Sequence, residues 1–316
     1  MLHHHFGPKG TRVPLFKRSH PRTAEHSALR RRLARAAGSA VAACALVTAG
    51  AATAAAESAP TYYVSLGDSL AAGYQPDAKK DTDVSYTDVV YRTLKQSDPN
   101  LQHIRLGCSG ETTQSMINGG ICSYDGAKSQ LQAAVNFLRA HPGQVKYVTE
   151  DIGANNVDKC LPNGTLDIGC LINGIFAISS DVTSINKQLR DAGGDTPRYV
   201  GMTYYDPMLA YWLQGGTSQW VGGASAIANN ILSFVLTSAD DSAGFATADV
   251  ATAFANNDFG NEVELPNIGK VPHNVAQICQ WTWMCTQYHD IHANPTGHQV
   301  LAETFLPLLT GGAKQS

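Results

Sequence analysis

The sequence predicts an α/β fold, a parallel sheet covered by helices on both faces. Short β-rich runs alternate with stretches whose apolar residues recur at helical spacing. Two of the runs stop at a glycine, as strands entering tight turns do, and no internal repeat or interdomain linker breaks the alternation.

Residues 62–66, Tyr-Tyr-Val-Ser-Leu, read as a first strand ending at Gly67. Leu131, Ala134, Val135 and Leu138 fall on one helix face. Residues 145–152 read as a second strand closing at Gly153, and Ile178, Val182, Ile185 and Leu189 line the next helix. Residues 198–203 give a third strand and residues 225–236 a helical pattern, while residues 249–254 fit either state. A last helix starts at Pro295, with Asn294 placed to cap it and Val300, Leu301, Phe305 and Leu308 on its inner side. A single domain is expected over 57–316.

The charge is unevenly distributed. Residues 1–56 hold nine Lys and Arg against one acid, Glu25, which leaves 14 basic and 25 acidic residues in 57–316. A body that acidic repels nucleic acid and anionic membrane surfaces, so polyanion partners are not expected. Arg30, Arg31, Arg32 and Arg35 precede an apolar, Ala-rich stretch that ends in Ala54-Ala55-Ala56. Charged, then apolar, then small is the order of a secretory signal, expected here over 29–56 behind an unstructured extension, 1–28. The stretch is short and Ala-rich for a membrane anchor, so no stable insertion is expected once it is cleaved. The run Val41-Ala42-Ala43-Cys44 keeps open the alternative of a lipoprotein anchored at Cys44 rather than a freely secreted protein.

Six cysteines follow the signal: Cys108, Cys122, Cys160, Cys170, Cys279 and Cys285. An even count in an exported chain implies disulfides, and six cysteines allow fifteen pairings. Pairing of sequence neighbours, 108–122, 160–170 and 279–285, closes one local loop each and is the expected pattern. Neither CxxC nor HExxH spacing is present, so no metal site is expected.

Reactive groups of such a sheet gather beyond the carboxyl ends of its strands. Four stretches in loops stand out: Gly67-Asp68-Ser69-Leu70, Gly107 to Thr113, Gly153-Ala154-Asn155-Asn156, and His289 to His298. Each alone also reads as ordinary turn chemistry. Together and in this order they resemble the SGNH hydrolase family, also called GDSL esterases and lipases, and most closely its secreted actinobacterial branch with three sequential disulfides. The resemblance spans essentially the whole chain after the signal. It implies a flavodoxin-like three-layer α/β/α fold, with Ser69 as nucleophile and His292 as general base. The oxyanion donors it implies are Gly110, Asn155 and the Ser69 backbone N–H.

Two positions depart from the family pattern. Asn156 stands where the family usually has aspartate, and His289 stands where it places the triad acid, three residues before the histidine. Asp290 sits two residues before His292. Either Asp290 or a backbone carbonyl near His289 orients the imidazole. His289 and His298 are expected to serve structure or solvent.

The reaction implied is acyl-enzyme hydrolysis of carboxylic esters without a cofactor, by a monomer acting on a small-molecule or lipid ester. The stretch 204–224, with Tyr204, Tyr205, Met208, Trp212 and Trp220, is a candidate acyl-binding wall or flap, or else core packing and a surface loop. Polysaccharide O-deacetylation and a non-catalytic extracellular binding protein on the same scaffold are the alternatives. No Gly-x-Ser-x-Gly elbow is present, which argues against an α/β-hydrolase or serine peptidase.

Overall fold

The computed structural model describes residues 59–160 and 167–311. The extension, the signal segment and Cys44 lie outside the described residues. In chain order the elements are β1 (Thr61–Ser65), α1 (Ser69–Ala72), β2 (Tyr74–Gln75), β3 (Lys80–Asp81), α2 (Tyr86–Ser97) and β4 (Leu101–Arg105). Then come α3 (Thr113–Asn118), α4 (Gln130–Ala140), β5 (Val145–Thr149), α5 (Ala154–Val157), α6 (Ile168–Gly193) and β6 (Arg198–Met202). The last stretch holds α7 (Thr217–Ala243), β7 (Ala246–Ala248), α8 (Val250–Ala253), β8 (Glu262–Leu265), β9 (Gly269–Pro272), α9 (His273–Trp281) and α10 (Pro295–Thr310).

Five parallel strands form the sheet in the order β4-β1-β5-β6-β7. Helices α2 and α10 pack together on one face, and α4, α6 and α7 pack in sequence on the other. This is the flavodoxin-like three-layer arrangement. The strand order reverses between β1 and β5, so a crevice opens beyond their carboxyl ends, where open α/β sheets bind ligands. β1 is an inner strand, with Tyr63 and Val64 fully buried and both its edges paired. Caps fix where the helices begin: Ser85, Ser129, Asp167 and Asn294 each accept a backbone N–H of the first turn. Residues 249–254, ambiguous in sequence, form the short helix α8 behind its Asp249 cap.

Three disulfides link Cys108 to Cys122, Cys160 to Cys170 and Cys279 to Cys285. Each fastens a loop at the carboxyl end of the sheet or the helix beside it. The second one pins the start of α6 next to the short turn that follows α5.

Candidate active site

β1 ends in a turn that only glycine permits. Gly67 has φ +143°, and a Cβ there would collide with the Asp151 side chain. Asp68 then caps α1 by accepting the Leu70 N–H, which sets Ser69 at the first helical position. The Ser69 N–H finds no acceptor among the described residues, as the first N–H groups of a helix do not.

The loop after α9 delivers His292 to the same point. Trp283 N–H donates to His292 O, Asn294 N–H donates to Trp281 O, and the Cys279–Cys285 bridge closes the base of the loop. From the other side the Gln75 side chain donates to Ala293 O and accepts from Trp283 Nε1, while the Tyr74 ring lies 4.7 Å from the His292 ring. Ser69 Oγ and His292 Nε2 are 2.8 Å apart, across 223 residues of chain. On the other edge of the ring, His292 Nδ1 is 2.6 Å from Asp290 Oδ1, which also accepts the His292 backbone N–H at 2.9 Å. Burial pushes the Asp290 carboxyl up, but these hydrogen bonds and the imidazole charge outweigh it and hold it below the usual range. As a carboxylate Asp290 can only accept, which puts the ring proton on Nδ1 and leaves Nε2 to accept the Ser69 hydroxyl. His289 is exposed in a left-handed turn, and His298 is buried, accepting the Tyr86 N–H at Nδ1 and driven down to about 3 by burial.

Asn155, at the start of α5, lines the same cavity as Ser69 and His292, and its Nδ2 donates to Glu111 O at 2.8 Å. Gly110 sits in the turn just before Glu111 with φ +82°, and its N–H has no acceptor among the described residues. The structure does not bring Gly110 into the cavity wall. Asn156 replaces the usual acid without disorder: it accepts the Thr113 N–H and donates to Thr113 Oγ1 and Gln114 Oε1.

Sequence reasoning missed two groups beneath the site. Gln130, fully buried at the start of α4, accepts the Gly67 N–H at 2.6 Å and donates to Gly67 O at 3.0 Å and Glu111 Oε2 at 3.2 Å. One amide thus clamps the Ser69 turn to the loop that carries Gly110. Asp68 and Asp151 form a buried pair. Asp68 accepts the Tyr204 hydroxyl, and Asp151 accepts the Tyr86 hydroxyl and the Asp68 N–H. Burial, reinforced by the charge of Asp68, pushes Asp151 well above the carboxylate range. A glutamine at a helix start and acids after a strand carry no spacing signal; only the fold shows them facing inward.

The cavity that opens over Ser69 has a volume of about 250 Å³ and a wall that is largely apolar, including Leu171 and Ile175 of α6 and Val221, Ala228 and Leu232 of α7. From the candidate stretch 204–224, Tyr204, Tyr205 and Met208 join this wall. Trp212 packs instead on Phe259, and Trp220 is exposed.

Residues 65–300 match the GDSL-like Lipase/Acylhydrolase family. No curated protein matches the chain in sequence. Among solved structures, the extracellular lipase of Streptomyces rimosus is similar, with TM-score 0.51 and 18% identity over 80% of this chain and all of that one. Phospholipase A1 of Streptomyces albidoflavus gives TM-score 0.47 at 17% identity, covering 81% of this chain and 100% of that one. An acetyl xylan esterase of Geobacillus stearothermophilus gives 0.47 at 15%, covering 81% and 97%. The matched stretch runs from the last residue of β1 into α10, through the Ser69 turn, the Asn155 loop and the His292 loop. The chain belongs to the GDSL-like lipase/acylhydrolase family and is a hydrolase of ester bonds.

Proposed function

We propose that the protein is a secreted esterase or lipase that cleaves esters of hydrocarbon acyl chains, with Ser69 as nucleophile, His292 as base and Asp290 as the group that orients it. The observation that carries this reading is the Asp290–His292–Ser69 hydrogen-bond chain ending in an apolar cavity. In this mechanism His292 Nε2 takes the Ser69 proton as Oγ attacks the ester carbonyl. The unpaired Ser69 N–H and the second Asn155 amide proton stabilise the oxyanion, while Gly110, the third donor that the resemblance implies, lies outside the cavity lining. His292 then protonates the leaving alcohol and activates the water that frees the acid. Neither step calls for a cofactor.

The apolar wall favours an acyl chain over the sugar of a polysaccharide O-deacetylase, whose hydroxyls would leave unpaired hydrogen bonds there. Export is supported by the three disulfides, which persist in oxidising compartments. We read the hydrolase as one domain over 57–316 behind a cleaved signal.

The test is hydrolysis of a p-nitrophenyl ester series from acetate to palmitate. Ser69→Ala should lower kcat by about 10⁴-fold or more on every ester, and Asp290→Asn by about 10²-fold. Esters longer than acetate should be preferred. Activity that survives Ser69→Ala sinks the nucleophile assignment, and an unchanged Asp290→Asn hands the orienting role to a backbone carbonyl.

A further inference from the structure

Helices α6 and α7 line the cavity and leave an apolar face uncovered beside its mouth. On α6, Leu171 and Ile175 face the cavity; Ile172 and Phe176 come one residue later, about 100° around the helix, and are exposed, Phe176 by 72%. On α7, Val221, Ala228 and Leu232 face the cavity, and the residue before each, Trp220, Ile227 and Ile231, faces out, Trp220 by 82%. Phe234 extends that stripe by one more turn. Ala224 is both exposed and part of the wall, so the stripe reaches the edge of the opening. The two stripes themselves carry no charge. From Thr217 to Ala239 there is no ionisable side chain, and the first on α6 is Asp181, more than three turns in.

Both helices are long and apolar enough to cross a membrane. Ile178, Val182, Ile185 and Leu189 of α6 and Leu232 and Leu236 of α7 are nevertheless buried in the domain, so the pair presents a face and does not span. A face of large exposed apolar side chains on a monomer marks a docking site.

We propose that the α6–α7 face seats the protein on an uncharged or zwitterionic lipid surface, so that an ester acyl chain passes from lipid into the cavity without crossing water. This rests on the ester-hydrolase reading of the Ser69 site. A second copy of the chain seated on both stripes would cover the opening and shut Ser69 off from substrate, whereas a lipid surface supplies substrate through it. The choice of headgroup follows from charge. Neither stripe carries a cation for an anionic lipid, Lys159 standing outside them beside the Cys160–Cys170 bridge, and residues 57–316 carry 25 acids against 14 bases. Trp220 at one end suits the headgroup boundary, where its indole ring is most stable.

The experiment uses purified, disulfide-intact protein and vesicles of non-hydrolysable diether phosphatidylcholine. The wild type should co-sediment with the vesicles, and should do so less with phosphatidylglycerol. A triple variant, Trp220→Ser, Ile227→Ser and Phe234→Ser, should partition at least about tenfold more weakly, since each large apolar side chain removed forfeits its burial. Phe176→Ser on the other helix gives a milder version should the triple variant melt early. Hydrolysis of a soluble acetate ester should stay unchanged while hydrolysis of an emulsified long-chain ester falls about tenfold. Equal partitioning of wild type and variants overturns the proposal. So does a dimer in ultracentrifugation that the triple variant dissolves, which would make a second copy the occupant. So does Trp220 emission, isolated by difference against Trp220→Phe, that is already blue-shifted in buffer, which would mean that another segment of the chain covers the face. The two readings fail separately: Ser69-dependent turnover without vesicle binding removes the docking surface alone, and vesicle binding without any ester turnover removes the ester reading alone.

Discussion

The floor of the cavity is polar, buried and tied by hydrogen bonds, whereas its rim is apolar, exposed and carried by two long helices. At the floor, Gln130 holds both backbone atoms of Gly67, Asp68 caps the Ser69 helix, and Asn155 is fixed on Glu111 O. Along the rim, Trp220, Ile227 and Phe234 stand out from α7 uncovered, and their helix begins at Gly216 without a side-chain cap. The difference teaches a division of labour. A reacting centre must hold its atoms to fractions of an ångström, which buried hydrogen bonds do well. A surface that meets a fluid, apolar substrate needs only area and the absence of charge.

Substitutions at the floor should therefore disturb every substrate alike, and those at the rim should sort substrates by size. Among substitutions that spare Ser69 and His292, the largest effect is expected from Asn155→Ala, which removes a proposed oxyanion donor and should lower kcat by about 10²–10³-fold on short and long esters equally. Steady-state kinetics on the ester series checks this, and a loss confined to long chains would put Asn155 with the rim. Next comes Ala228→Phe, which fills part of the cavity wall. It should cost roughly tenfold in kcat/KM for long acyl chains and less than about twofold for acetate. A uniform loss would mean that the wall also positions Ser69.

The smallest effect on turnover is expected at Asp240, buried beneath the sheet, where it accepts from Asn186 Nδ2 and Thr247 Oγ1. Burial raises its carboxyl to about 7, tempered by those two hydrogen bonds. Because the folded state binds this proton more tightly than the unfolded chain, its contribution to stability is complete below about pH 4. That contribution is lost as pH rises through about 7. Asp240→Asn should flatten the fall in melting temperature between those two pH values and leave kcat unchanged. A slope identical to that of the wild type would show that other buried acids set it.

The same division decides what could be read in advance. Residues 178–189 announced their helix because Ile178, Val182, Ile185 and Leu189 repeat against a core. The helix starts at Ile168, where Ile168, Ile172 and Phe176 lie on an exposed face that is itself apolar, so no contrast between faces marks it. β4 escaped notice because it is an edge strand in which Leu101 alone is buried, and α2 because its inner face mixes Tyr86, Thr87 and Asp88 with Val90 and Leu94. Around the site, Ser69, Asn155 and His292 stand in turn-forming stretches that say little singly, and it was their order along the chain, through the family resemblance, that singled them out. Gln130 and Asp151 were not legible, since a polar residue turned inward looks in sequence like one turned outward.

The separation of 223 positions between Ser69 and His292 carries a consequence for biosynthesis. The serine turn leaves the ribosome well before the histidine loop, and the loop is held by α9 before it and by α10, which starts three residues after His292. A growing chain therefore holds the proposed nucleophile without its base while the residues between them are being made. On the mechanism proposed here, esterolysis switches on only once α10 has closed onto the sheet, so the order of synthesis itself delays the activity.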